Sequence, residues 1–182
     1  MSGLALKLRE QRVRLGLKGP QAADLLLSYG IVVPTAPNTW THSEDSFGAD
    51  GLLTARLGAT EFFLEEGMTG TTLKRISASL DDRAPGSHPP GVYPVLREDW
   101  AFQIGGERVH DVLTQVCNVN FAALPLASHP LIMTLMIGVA VLVVPQGDQY
   151  RIWCDPTFGP YLGESLGQVV IECGGRYTGA SL

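Results

Sequence analysis

A chain of 182 residues with 45% hydrophobic side chains has material for a sizeable core, and its length fits one large domain or two small halves. Only 17% of residues are charged, below the roughly 25% usual for soluble domains, so either partners cover part of the surface or the core is rich in Gly and Ala. A net charge of −5 gives no electrostatic reason to expect a nucleic-acid partner.

Leu4, Leu6 and Leu8 alternate with Ala5, Lys7 and Arg9, the pattern of a strand. The basic cluster Lys7, Arg9, Arg12, Arg14 and Lys18 reads as a solvated strand face, or else as a patch that meets an acidic partner. A strand over 12–17 leads into a helix from Pro20 to Tyr29, where Pro20 suits a first helical position and Gly30 a position just past the end. Ile31–Val33 is a short strand candidate. Pro34–Thr39 is not helical, since each Pro disfavours the helical state in the residue before it, and 41–50 is a polar loop.

Leu52–Leu57 and Glu61–Glu65 form a hairpin across Gly58–Thr60, and Leu73, Ile76 and Leu80 mark one face of a helix over 69–80. Asp81–Pro94 is dense in Pro and Gly, offers neither helix nor ladder, and serves as a linker. After it come a strand at 99–104, a helix at 107–116 and a short strand at Asn118–Phe121. Two or three long, buried strands cover 131–154 around a turn at Gln146–Asp148, and a last helix from Phe158 to Cys173 is stopped by Gly174 and Gly175.

The two runs say the same thing twice. Val13–Leu26 aligns with Trp100–Leu113 at a constant offset of 87 residues: alternating apolar side chains, a Gly, then an amphipathic stretch. Each half reads β-α-β-β-β-α, which gives an α+β fold of two similar halves packed together. The domain reading is an N-terminal half over 1–80, the linker over 81–94 and a C-terminal half over 95–182.

No residue set stands out for catalysis, cofactor binding or metal binding. Of the four histidines, His42 and His88 fall in polar loops, His129 precedes Pro130, and His110 lies on a helix where the first copy has Ala23. No pair of potential ligands recurs at helical spacing, and no phosphate-binding loop or nucleophile elbow is present. The adjacent carboxylates Glu44–Asp45, Glu65–Glu66 and Asp81–Asp82 read as solvated. Trp153, Phe158 and Tyr161 gather around a strand-to-helix turn, as core plugs or as an interface centre. Three scattered cysteines, Cys117, Cys154 and Cys173, read as reduced and buried in a cytoplasmic protein. No signal peptide is expected, and the apolar run Leu131–Val144 is short of the roughly 20 residues that span a bilayer, so no membrane partner is expected either.

Leu17–Leu26, Pro34–Thr39, Ala55–Gly58 and Glu61–Leu64, followed by Trp100–Leu113, Cys117–Phe121 and Tyr150–Trp153 leading through Phe158 and Tyr161 to Ser165–Leu166, resemble in order the gamma subunit of heterotetrameric sarcosine oxidase. That subunit is itself similar to part of the folate-binding T-protein of the glycine cleavage system. The resemblance implies a T-protein-like fold and an accessory subunit that binds no cofactor itself. Alpha, beta and delta type partners would carry FAD, FMN, NAD and tetrahydrofolate, and the complex would oxidatively demethylate an N-methyl amino acid. The alternative it leaves open is a small folate-dependent, aminomethyltransferase-like protein with an acidic residue aimed at the pterin. The linker, the Arg176–Leu182 tail and the glycine-rich last helix (Gly159, Gly163, Gly167) depart from the family pattern.

Overall fold

The computed structural model describes residues 3–8, 12–42, 51–80 and 89–178. Arg9, Glu44, Asp45, Asp81, Asp82 and His88, together with most of the linker, lie outside these described residues. In chain order the elements are β1 (Ala5–Leu8), β2 (Val13–Lys18), α1 (Ala22–Ser28), β3 (Thr39–His42), β4 (Leu52–Arg56), β5 (Glu61–Glu66) and α2 (Thr72–Leu80). They continue with β6 (Tyr93–Val95), β7 (Trp100–Gly105), α3 (Val109–Val116), β8 (Ile132–Met136), β9 (Val139–Gln146), β10 (Gln149–Cys154), α4 (Gly159–Glu172) and β11 (Arg176–Thr178).

The chain divides into an N-terminal unit, Gln11–Arg97, and a C-terminal unit, Met1–Glu10 with Glu98–Leu182. In the N-terminal unit five strands run in the order β3-β4-β5-β2-β6. Leu15 and Leu17 of β2 lie opposite Leu64 and Phe62 of β5, and this face packs on Ala22 and Leu26 of α1 and on Leu73, Ile76 and Leu80 of α2. In the C-terminal unit six strands run β11-β1-β7-β10-β9-β8. Leu6, Phe102, Ile104, Tyr150, Ile152, Val141 and Val143 form its inner face, covered by Val112 and Leu113 of α3 and by Leu162, Leu166 and Val170 of α4. The α+β class is therefore as expected.

The duplication holds at the level of backbone conformation. β2 and β7 begin at Val13 and Trp100, and α1 and α3 begin at Ala22 and Val109, each pair at the offset seen in the sequence. Between them Gly19 and Gly106 adopt φ of +119° and +117°, values open to Gly but not to side chains with a Cβ. A Cβ at Gly19 would fall 2.1 Å from the Gly91 carbonyl oxygen, and one at Gly106 would fall 2.7 Å from that of Gly3.

Those two contacts expose a topology that chain order hides. Gly91 leads into β6, which pairs antiparallel with β2, and Gly3 leads into β1, which pairs antiparallel with β7. The strand that precedes each copy of the repeat is thus built into the sheet of the other copy. The first residues of the chain, assigned by sequence to the N-terminal half, group with the C-terminal unit. Tyr93 and Pro94, assigned to the linker, belong to the first sheet, with Pro94 on an edge strand, where a missing N–H is tolerated.

Several local expectations are corrected. Ile31–Val33 is not a strand, because the Ile31 N–H is spent on the Leu26 carbonyl and the Gly30 N–H on that of Leu27, a Schellman closure of α1. Pro20 lies outside α1, and Gln21 is its N-cap residue. Asn118–Phe121 is not a strand either: Phe121–Ala123 is a short 3₁₀ turn whose Phe121 ring packs edge-on against Tyr150 at 5.5 Å. β3 and β11 were not expected. β3 starts after Asn38, which takes φ +57° and donates its N–H to the Arg56 carbonyl, so the strand is launched from across the sheet. β11 exists through its parallel pairing with β1.

The glycines of α4 have a packing role. A Cβ at Gly159, Gly163 or Gly167 would lie 2.4, 2.9 or 2.5 Å from the rings of Trp100, Phe102 and Tyr177 respectively. Spaced four apart, they form one helix face that lets α4 sit directly on β7 and β11.

Candidate functional site

Among the described residues, Glu65, Glu66 and His110, which sequence marks as chemically able, are each committed to a structural contact. Glu65 and Glu66 are buried rather than solvated, at 1% and 3% exposure, and as neighbours on β5 they point to opposite faces. Glu65 receives Arg14 Nε at 2.8 Å and Arg12 Nε at 3.4 Å, so these two arginines form a buried ion cluster and not a solvated strand face. Lys18, half exposed, pairs with Glu61 at 3.1 Å. Glu66 accepts the N–H groups of Thr72 and Leu73 at 3.1 and 2.8 Å, capping α2 from the strand before it.

His110 shares a 2.7 Å hydrogen bond between Nε2 and the Tyr150 hydroxyl. Burial, and secondarily Asp148, raise the Tyr150 hydroxyl above its ordinary value, so it stays protonated in the neutral range. This pair is a core contact of α3 with β10. His42 sits on β3 and not in a loop, edge-on to Trp40 at 5.4 Å. His129 holds a left-handed conformation before Pro130. Among the described residues no group of His, Cys, Asp and Glu is arranged to hold a metal.

The three cysteines are free and buried. The Cys154 thiol is pushed up to about 11, first by burial and then by Asp99 and Asp155. A raised thiol value favours the protonated folded state, so this group's contribution to stability is intact below the unfolded thiol value and declines as pH rises toward the folded one. Cys154 is expected to resist iodoacetamide at pH 8 in the folded chain and to react readily in urea, as read by peptide mass spectrometry; native labelling at the rate of a free thiol would contradict this.

The aromatic cluster splits between core and surface. Trp153 is fully buried, whereas Phe158 and Tyr161 are half exposed. The Tyr161 hydroxyl donates to the Ile137 carbonyl at 3.4 Å, in the turn between β8 and β9. That turn carries two consecutive positive φ values, Ile137 at +50° and Gly138 at +80°. A β-branched residue is strained there. Ile137 is held by its N–H bond to the Val116 carbonyl and by packing on the core of the unit.

β8 itself departs from the expected buried strand. It is the outer strand of its sheet, and Met133 and Leu135 are 54% and 61% exposed while Met136 is buried. Its sequence, Ile-Met-Thr-Leu-Met, contains none of the charges or prolines that usually blunt a sheet edge. Sequence could not reveal this, because a strand apolar on both faces looks like an interior strand. The candidate functional surface is this apolar edge, with Tyr161 beside its turn. Among the described residues no helix is long and apolar enough to cross a membrane.

Two units whose strand order matches over five strands, each with a pair of helices on one sheet face, define the class: a duplicated α+β scaffold with a T-protein-like fold. In particular, the chain superposes on a chain of the heterotetrameric sarcosine oxidase from Corynebacterium sp. U-96, solved in complex with pyrrole 2-carboxylate, with a TM-score of 0.70 and 21% identity over 92% of this chain and 83% of that one. It also superposes on the glycine cleavage system aminomethyltransferase T from Bartonella henselae, with a TM-score of 0.65 and 17% identity over 97% of this chain. It spans about half of that enzyme, 48% of its length. No protein-family model and no curated protein matches the sequence. The fold is the sarcosine oxidase subunit-like, T-protein-like fold that the resemblance implies.

Proposed function

We propose that this chain is a non-catalytic, gamma-type accessory subunit of a multi-subunit, flavin-dependent sarcosine oxidase-like complex that oxidatively demethylates an N-methyl amino acid. In this reading alpha, beta and delta type subunits carry FAD, FMN, NAD and tetrahydrofolate, this chain binds no cofactor, and the assembly is cytoplasmic. The observation that carries the proposal is the unblunted edge β8, with Met133 and Leu135 facing outward. An exposed apolar edge is a liability in a free-standing protein and an asset in a subunit. Likeness along most of a chain from a heterotetrameric oxidase supports the same reading.

The alternative, a small folate-dependent aminomethyltransferase-like protein, draws on the second structural likeness but meets an obstacle. It calls for a carboxylate aimed into a cavity. In the N-terminal unit Glu66 lines a cavity of about 250 Å³ with Tyr29, Ile31 and Thr54, yet both of its oxygens are spent on the N-terminus of α2. That carboxylate does not fit the role.

Native mass spectrometry of the tagged chain from its own host tests the proposal. Stoichiometric co-purification with flavin-bearing subunits is expected, and M133D/L135D is expected to cut it at least about tenfold while leaving the thermal midpoint unchanged, since both positions are exposed. A lone species, or full recovery of the complex with the double variant, would overturn it.

A further inference from the structure

The outer face of the C-terminal sheet, opposite α3 and α4, holds a second feature that the interface reading does not use. Register sets two rows of side chains across its strands. Thr178, Lys7, Gln103 and the buried Arg151 form one row, and Arg176, Ala5, Gly105 and Gln149 form the next. Together with Gly3 these residues, Arg151 apart, line a concavity of about 460 Å³, within the range of small-ligand sites. Small residues make its floor: a Cβ at Gly105 would fall 2.2 Å from Gln149 Oε1.

Its electrostatics run against the rest of the molecule. The chain carries a net charge of −5, yet the described residues lining the concavity include two cations and no carboxylate. Lys7 and Arg176 are exposed, and among the described residues neither side chain has an acidic partner. The other polar groups are largely committed. Gln103 Nε2 donates to Gln149 Oε1 at 3.2 Å, Gln149 Nε2 donates to Asp148 Oδ1 at 3.3 Å, and the Thr178 hydroxyl donates to the Leu6 carbonyl at 3.3 Å. Among the described residues the carboxylate that these side chains reach is Asp148, in the turn between β9 and β10, and the Gln149 amide already engages it.

We infer that this concavity binds a small dicarboxylate, one carboxylate on the Arg176 guanidinium and the other on the Lys7 ammonium. The two cations come from adjacent parallel strands but different rows, so they stand apart on a diagonal, at a separation of roughly 8 Å between backbone positions. Two separated charges suit a ligand with two separated anionic groups better than one compact anion. A guanidinium offers a carboxylate a planar pair of N–H donors, and an ammonium offers a point charge to the second. The volume leaves room for a chain of a few carbons between them.

The test is isothermal titration of the full-length chain at low salt with succinate, its neutral diamide and inorganic phosphate. Saturable 1:1 binding of succinate is expected, with no binding of the diamide and phosphate at least about tenfold weaker. R176Q and K7Q should each weaken succinate about tenfold, the size of one charge-assisted contact, without moving the thermal midpoint. Absence of saturable succinate binding up to tens of millimolar, succinate affinity untouched by both substitutions, or phosphate binding as tight as succinate would each overturn the inference. Co-purification with flavin-bearing subunits is independent of either outcome.

Discussion

Truncation of residues 1–8 is expected to unfold the C-terminal unit and to leave the ladder between β2 and β5 intact. β1 lies between β7 and β11, paired with β7 from Ala5↔Gly105 to Leu8↔Phe102 and with β11 from Ala5↔Arg176 to Lys7↔Thr178. Its removal deletes both ladders at once. It also takes away Leu6, which has no exposure, and Leu4 at 7%, both in the core with Phe102, Ile104 and Val170. Removing a buried leucine side chain costs about 2–5 kcal/mol where the site cannot collapse. Two such losses plus the ladders approach the roughly 5–15 kcal/mol that stabilises a whole domain. The Arg176 N–H, which donates to the Leu4 carbonyl at 3.1 Å, loses its partner as well. Hydrogen exchange read by mass spectrometry should show protection lost across Trp100–Gly105 and Gln149–Cys154 and kept across Val13–Lys18 and Glu61–Glu66. Loss confined to Val13–Lys18 would mean that the first strand belongs with the sequence that follows it, and the exchanged topology would be wrong.

The second large effect is expected at Glu65. Its side chain has no exposure, and the side chains of its partners Arg12 and Arg14 are 7% and 9% exposed. Arg12 Nη2 also donates to the Gly51 carbonyl at 3.0 Å, so Arg12 is held in place and cannot swing out to water without giving up that bond. E65L leaves two guanidiniums facing a methyl-bearing side chain in a poorly hydrated site. Breaking a buried pair from one side costs about 3–5 kcal/mol, since the residual charge keeps its desolvation penalty without its attraction. E65Q keeps an acceptor for Arg14 while removing the charge, and should fall between wild type and E65L. R12M/R14M/E65L should recover much of the loss, because an apolar replacement of the whole cluster carries no stranded charge. Urea unfolding followed by tryptophan fluorescence in a W100F/W153F background, which leaves Trp40 as the reporter of the N-terminal unit, measures all three. A midpoint for E65L equal to wild type would show that the cluster contributes nothing to stability.

Both effects lie in places that reading along the chain does not reach. The elements whose signals are local were legible: β2 and β7 from alternation, α2 from Leu73, Ile76 and Leu80, the hairpin of β4 and β5 from its short connection, and the end of α1 from Gly30. The duplication was legible for the same reason, since Gly19 and Gly106 impose the same backbone turn on similar neighbours. Glu65 and Glu66 are buried where their sequence neighbourhood reads as solvated. A strand sends Glu65 and Glu66 to opposite faces whatever surrounds them, but whether each face meets water depends on what packs there.

The sequence by itself determined the α+β class, the two copies of the strand–turn–helix unit, the inward faces of the helices and the resemblance to sarcosine oxidase subunits. The elements among these depend on residues within a turn or two of one another, and the repeat and the resemblance on the order in which such local patterns recur. Only the tertiary structure decided that β1 and β6 exchange sheets, that β11 exists, that Arg12 and Arg14 are buried on Glu65, and that β8 is an edge with Met133 and Leu135 outward. The first three are contacts between residues distant in the chain, and the fourth depends on which strands have taken the other places in the sheet. The free energy of such contacts comes from burial and ladder formation after the loop is closed, and no local periodicity records which partner will be there.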